Sequence, residues 1–202
     1  MKVKLLESTG FAVAIRAAKM CYGRPEAADG MSYEESLAFL KKLIDLEHES
    51  VLEHSVFVFE VDGISRACLQ ELARHRHISL SVKSTRWVLK EHQEMYTPPA
   101  LNEKMREFYK EYMYHALNIV ENIRDEYGND VAKYFLPEGF TTRLIITANL
   151  RQLRHMWKVR HSPKALEEFR NLMEALVVTL DPITDELVTH IKEVKKEGAA
   201  DA

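Results

Sequence analysis

Arg74-His75-Arg76-His77-Ile78-Ser79-Leu80-Ser81-Val82-Lys83-Ser84-Thr85-Arg86 changes its hydrophobic period half-way along. Up to His77 the residues follow a helical wheel. Ile64, Cys68 and Leu72 fall on one side, with His75 pointing the same way, and Arg66, Gln70, Arg74 and His77 share the opposite side. Beyond His77, Ile78, Leu80 and Val82 alternate with Ser79, Ser81 and Lys83, as in a half-buried strand. A helix from Ile64 to about Arg76 is therefore expected to run straight into a strand. The joint carries arginines on one side and hydroxyls on the other, a combination suited to phosphate and ribose oxygens. A surface arginine cluster, with His75 a satisfied core histidine, fits the same pattern.

Working outward, Val56-Phe57-Val58-Phe59-Glu60-Val61 is β-branched and aromatic, and Asp62-Gly63 marks a turn after it. Lys2–Leu6 and Thr141–Ala148 are expected to be strands. Ser32 and Glu35 form a capping box for a helix near 33–46, with Leu37, Leu40, Leu43 and Ile44 inward. Residues 102–127 hold the longest amphipathic pattern. Met105, Phe108, Tyr109, Tyr112, Met113, Ala116, Leu117, Val120 and Ile123 recur at helical spacing, a stripe expected to be core. Further helices are expected over Leu150–Arg160, from about Ala165 to a stop or kink at Asp181-Pro182, and onward to about Lys195. Gly198–Ala202 reads as a frayed tail. No linker, repeat or low-complexity stretch divides the chain, so one α+β domain over residues 1–197 is expected.

The 202 residues carry a net charge of −3, with 46% apolar and 29% charged positions, a composition that supports a sizeable core. No apolar run reaches membrane-spanning length, and the first residues lack the apolar stretch of a signal peptide. The two cysteines, Cys21 and Cys68, form no CxxC pair, which fits a reducing cytoplasm. No GxGxxG or GxxxxGK[ST] is present. The near-neutral total hides a local excess. Residues 66–86 and 143–170 together hold 12 basic and 3 acidic residues, and nine of the 13 arginines. Arginine grips phosphate bidentately, so an anionic partner is implied. The alternative is a solvated basic surface.

Arg170 falls in the helical stripe of Leu166, Met173 and Val177, where a guanidinium needs an anion or several acceptors. His48-Glu49-Ser50-Val51-Leu52-Glu53-His54 has two histidines and two glutamates, but its spacing matches no HExxH pattern, and no metal is expected. Ser79, Ser81 and Ser84 stand in no GxSxG motif.

These residues are familiar as a set. The joint resembles the signature of the flavin-dependent thymidylate synthases, R-H-R-x-x-S-x-N-x-x-S-x-R. Arg74, His75, Arg76, Ser79, Ser84 and Arg86 match it, and Ser81 stands where that pattern has asparagine. His48-x-Ser50-x-x-Glu53-His54 resembles a second family segment. Thr142-Arg143, Thr147-x-Asn149-x-Arg151-x-x-Arg154-His155, Arg160 and Arg170 resemble the C-terminal half. There Leu166 replaces the usual glutamine. The similarity spans roughly residues 8–180.

The resemblance implies an antiparallel sheet with long helices and the reductive methylation of dUMP to dTMP. Methylenetetrahydrofolate would give the carbon, and NADPH would reduce FAD. It implies FAD contacts at Ser50, Arg74, His75 and Arg76, with Val159, Arg160 and His161 close by. It implies dUMP contacts at Glu71, Arg74, Arg143 and Arg170. Ser84, Thr85 and Arg86 would reach the dUMP phosphate of a neighbouring subunit in a homotetramer with sites at subunit junctions. Arg170 would stabilise charge on the uracil ring, with no cysteine nucleophile. Two other readings stay open at this point. One is a pyrimidine nucleotide hydroxymethylase of the same fold. The other is an RNA-binding module using Arg151, Arg154, His155 and Lys158 as one basic face.

Overall fold

The computed structural model describes residues 1–84 and 95–190. In chain order the elements are β1 (Lys2–Ser8), α1 (Ala12–Met20), α2 (Tyr33–Asp45), β2 (Val56–Ser65), α3 (Arg66–Ala73), β3 (Ile78–Val82), α4 (Glu103–Tyr127), α5 (Asn129–Ala132), β4 (Thr141–Asn149), α6 (Leu150–Arg160), α7 (Glu167–Val177) and α8 (Pro182–Thr189). Short 3₁₀ turns lie at Pro25–Ala28, Glu49–His54 and Lys133–Phe135. The strands form one antiparallel sheet in the order β1-β2-β4-β3. The α+β expectation holds.

Alternation explains the sheet's two faces. Phe57, Phe59 and Val61 of β2 and Leu144, Ile146 and Ala148 of β4 point into the core. There they meet Leu72 of α3, Phe169, Leu172 and Leu176 of α7, and Leu40 and Ile44 of α2. Glu60 and Arg143 lie on the other face, paired with each other. α2 begins with the capping box read from sequence, Ser32 with Glu35.

The boundaries around the joint differ from expectation for a local reason. Asp62-Gly63 makes no turn. β2 runs on to Ser65, and only its register against β4 slips between Asp62 and Ile64, with Gly63 at φ +84°. The next helix opens at Arg66, because the Ser65 side chain accepts the Cys68 amide as its N-cap. It closes at Ala73, so Arg74 to His77 lie in the turn that leads to β3. The helix expected from about Ala165 runs from Glu167 to Val177, and the break expected at Asp181-Pro182 is present. Asp181 caps a new helix whose first residue is Pro182. The expected end near Lys195 and the tail at Gly198–Ala202 lie outside the described residues.

The expected core stripe of α4 is only partly core. Met113 and Val120 are buried, and Val120 joins Ala132, Leu136 and Phe140 in a small second cluster. Met105, Phe108 and Tyr112 are exposed, Phe108 at 62%. A helix of 25 residues is about 37 Å long. The short elements packed beside it within the protomer cover only part of that length. Tyr109 anchors the helix by donating to the Tyr96 carbonyl at 2.9 Å. Gly139 makes room for this: a Cβ there would lie 1.9 Å from the Tyr109 hydroxyl.

Candidate active site

The helix-to-strand joint, the start of α6 and the 49–54 turn meet at a cleft of about 620 Å³. Arg74, His75, Arg76 and His77 line it from the joint. Asn149, Arg151, Gln152 and His155 line it from α6, and Glu49 and Glu53 from the turn. Asn149 caps α6 by accepting the Gln152 amide at 2.8 Å, so the positive end of that helix opens on the cleft.

His75 sits at the back of this cleft, 8% exposed. Its Nε2 accepts from the Arg160 Nε at 3.0 Å. Gln152 Nε2 stands 3.4 Å from Nδ1, and Phe169 and His155 pack on the ring. Burial first, then the Arg160 and His155 charges, push His75 down to about 4. The imidazole is thus neutral and acts as an acceptor for Arg160.

Arg160 is the best-held guanidinium near the joint. It pairs with Glu71 at 2.7 Å and lies 5.3 Å over the Phe169 ring. Glu71 is also 3.6 Å from Arg74, whose side chain is 73% exposed. Beneath them, Glu168 is buried against Ser65, and burial pushes its carboxyl up against the pull of the Ser65 donors. Burial also pushes the Cys68 thiol up, which keeps it protonated.

The other expected residues are scattered within a protomer. Ser50 is exposed on the 49–54 turn, outside the set that lines the cleft. Val159 is exposed, and His161 stacks on Trp157 at 3.9 Å and meets Glu174 at 3.0 Å, both outside that set. Arg143 stands on the open sheet face beside Glu60. Arg170 Nη1 donates to the Pro163 and Ala165 carbonyls at 3.2 and 2.6 Å, within the loop before its own helix. Ser84 lines a second, smaller pocket with Arg66, Lys133 and Thr142. Thr85 and Arg86 lie outside the described residues.

Of the basic face expected for RNA, Arg151, His155 and Lys158 are exposed on α6, but Arg154 is turned inward. Arg154 is 10% exposed and donates to the Leu187 and His190 carbonyls at the end of α8, while Arg151 pairs with Glu53 at 2.6 Å.

The description "Thymidylate synthase complementing protein" fits residues 4–184 as a family model. The flavin-dependent thymidylate synthase of Wolinella succinogenes is 38% identical over 194 residues, covering 87% of this chain and 91% of that protein. The chain belongs to the flavin-dependent thymidylate synthase family. The Campylobacter jejuni member is 37% identical, covering 89% of this chain and 92% of that one. Thymidylate synthase X of Helicobacter pylori, solved with FAD and dUMP, superposes with a TM-score of 0.78 at 33% identity, covering 93% of this chain and 97% of that one. The family likeness thus embraces the whole sheet and every cleft element.

Proposed function

We propose that this chain catalyses the reductive methylation of dUMP to dTMP, taking the carbon from methylenetetrahydrofolate, with NADPH reducing a bound FAD. Family membership supports the reaction. The observation that carries the site is the cleft itself, where Arg74, Arg76 and Arg151 come together beside the N-terminus of α6. Three guanidinium groups and a helix N-terminus suit the pyrophosphate of a dinucleotide, and Asn149 and Gln152 offer amides to ring or ribose atoms. The donor set therefore fits FAD. When bound, the flavin supplies hydride transfer.

The chain's own residues bind and orient. Arg74, His75 and Arg76 form the flavin side, joined by Ser50 of the 49–54 turn, by Val159 in the last turn of α6 and by His161 just after it. Glu71 and Arg160 form the pyrimidine side. Arg160, held by Glu71 and His75, is the guanidinium that stabilises negative charge as the uracil N–H ionises, a role its surroundings fit better than those of Arg170. Cys68, buried and protonated, takes no part as a nucleophile.

The substrate phosphate falls to Ser84, Thr85 and Arg86 of a neighbouring protomer, with Arg143 brought in across the junction of a cytoplasmic homotetramer. Such an assembly accounts for the exposed Met105, Phe108 and Tyr112 of α4 and for Arg143 standing apart from the cleft. Incubation with dUMP, methylenetetrahydrofolate and NADPH, followed by mass analysis, tests the reading. A product one methylene heavier than dUMP supports it. A hydroxymethylated pyrimidine nucleotide, or no product, refutes it.

A further inference from the structure

Among the described residues, Glu168 is the one acidic side chain that is buried, at 1% exposure, and nothing in the chemistry above uses it. Both of its hydrogen bonds come from Ser65, 103 positions away: the backbone N–H at 2.7 Å and the hydroxyl. The same hydroxyl accepts the Cys68 amide at 3.0 Å and so caps α3. The next two amides of that helix start, from Arg66 and Ala67, are taken by the carbonyls of Phe140 and Glu138. One residue further along α7, Phe169 packs on His75 and beneath Arg160. Two consecutive residues of α7 thus hold the chain on either side of α3, at Ser65 before it and at His75 after it. Between those points the helix carries Glu71, the partner of Arg160.

We propose that Glu168 is a positioning residue of this enzyme: through Ser65 it sets the start of α3, and with it the placement of Glu71, Arg74 and His75 around Arg160. The inference rests on the proposed function for what is positioned, and on the Ser65–Glu168 geometry for how. A carboxylate offers acceptors to both Ser65 donors. The isosteric amide of Glu168→Gln offers one acceptor and turns a donor toward the other. Deletion at this point leaves donors buried without partners, and α3 then shifts to find new ones.

The test compares the holoenzyme with Glu168→Gln, Ser65→Ala, the double variant, and Val188→Ala, a buried α8 change that lowers stability away from α3. Assays are run below each unfolding midpoint. Glu168→Gln is expected to lower kcat/KM for dUMP at least about tenfold and to shift the absorption band of bound FAD. Val188→Ala keeps both within about twofold. The double variant loses little more than the worse single one, because both act through one contact. Normal kcat/KM and an unmoved flavin band in Glu168→Gln would overturn the proposal. So would an equal loss in Val188→Ala, or additive losses in the double variant. If the unaltered protein forms no dTMP, the functional reading fails on its own; the FAD band of Glu168→Gln then decides the positioning claim, an unmoved band overturning it.

Discussion

Replacing Arg160 by alanine removes the side chain on which the two halves of the site meet. Three contacts go at once. The charged hydrogen bond to Glu71 at 2.7 Å contributes about 1.5–3 kcal/mol. The Nε2 of His75 loses its donor at 3.0 Å in a buried setting, which costs about 1–3 kcal/mol. Contact with the Phe169 ring adds about 0.5–1 kcal/mol. One side chain makes all three, so they do not add fully, and Arg74 at 3.6 Å remains to answer Glu71. A net loss of about 2–4 kcal/mol follows, or roughly 5–15 °C in Tm for a chain of this size. The catalytic loss is larger. Removing one preorganised group aimed at developing negative charge lowers kcat by about 10²–10³. The assay is dTMP formation at saturating dUMP below the variant's Tm, with FAD content read from the visible spectrum. Arg170→Ala is the control. It removes two carbonyl contacts within one loop, costing about 1–2 kcal/mol, and is expected to keep turnover near normal. Turnover of Arg160→Ala within threefold of the unaltered protein, or a greater loss in Arg170→Ala, refutes the assignment.

His75 gives a pH dependence with a definite sign. Its pKa falls from 6.5 in the unfolded chain to about 4 in the fold, so between those values the unfolded chain binds more protons. This contribution is complete above about pH 6.5 and is lost as pH falls toward 4, up to about 3 kcal/mol in all. Urea midpoints should drop from pH 7 to pH 4.5 more in the unaltered protein than in His75→Asn; equal drops would refute the reasoning. Gly139→Ala drives a Cβ into the Tyr109 hydroxyl and breaks its bond to the Tyr96 carbonyl. It should lower Tm by an amount equivalent to about 1–3 kcal/mol, with part recovered in the Tyr109→Phe background, and no recovery would point to a different cause. Arg154→Ala leaves the Leu187 and His190 carbonyls without their donor and should destabilise the fold, by thermal melting, more than Arg151→Ala, whose ion pair is exposed.

The sheet was legible because its strands alternate cleanly, and β2, β3 and β4 carry their core residues at every second position. The capping box of Ser32 and Glu35 announced a helix start in the same local way: a short polar side chain before an apolar period has one common use. What the pattern hid was tertiary. Asp62-Gly63 has the composition of a turn, yet cross-strand pairing carries β2 through it as a bulge. The α4 stripe has core periodicity, but among the described residues Met105, Phe108 and Tyr112 stay exposed within one protomer. Arg170 looked like a guanidinium in an apolar stripe; two carbonyls only a few residues earlier in the chain absorb it, and nothing in a wheel projection shows where a loop folds back. Arg160, Phe169 and Glu168 matter through contacts that bridge some 85 to 103 positions, for which no local signal exists.

The claim at the centre is that guanidinium groups from two distant stretches, at Arg74–Arg76 and Arg151–Arg160, gather around a flavin. The visible absorption spectrum of the purified protein, titrated with FAD, tests it most directly. The account predicts a saturable flavin band that weakens at least about tenfold in affinity when Arg74 and Arg76 are both replaced by alanine. A protein that binds no FAD, or one whose affinity is untouched by losing both arginines, would contradict it.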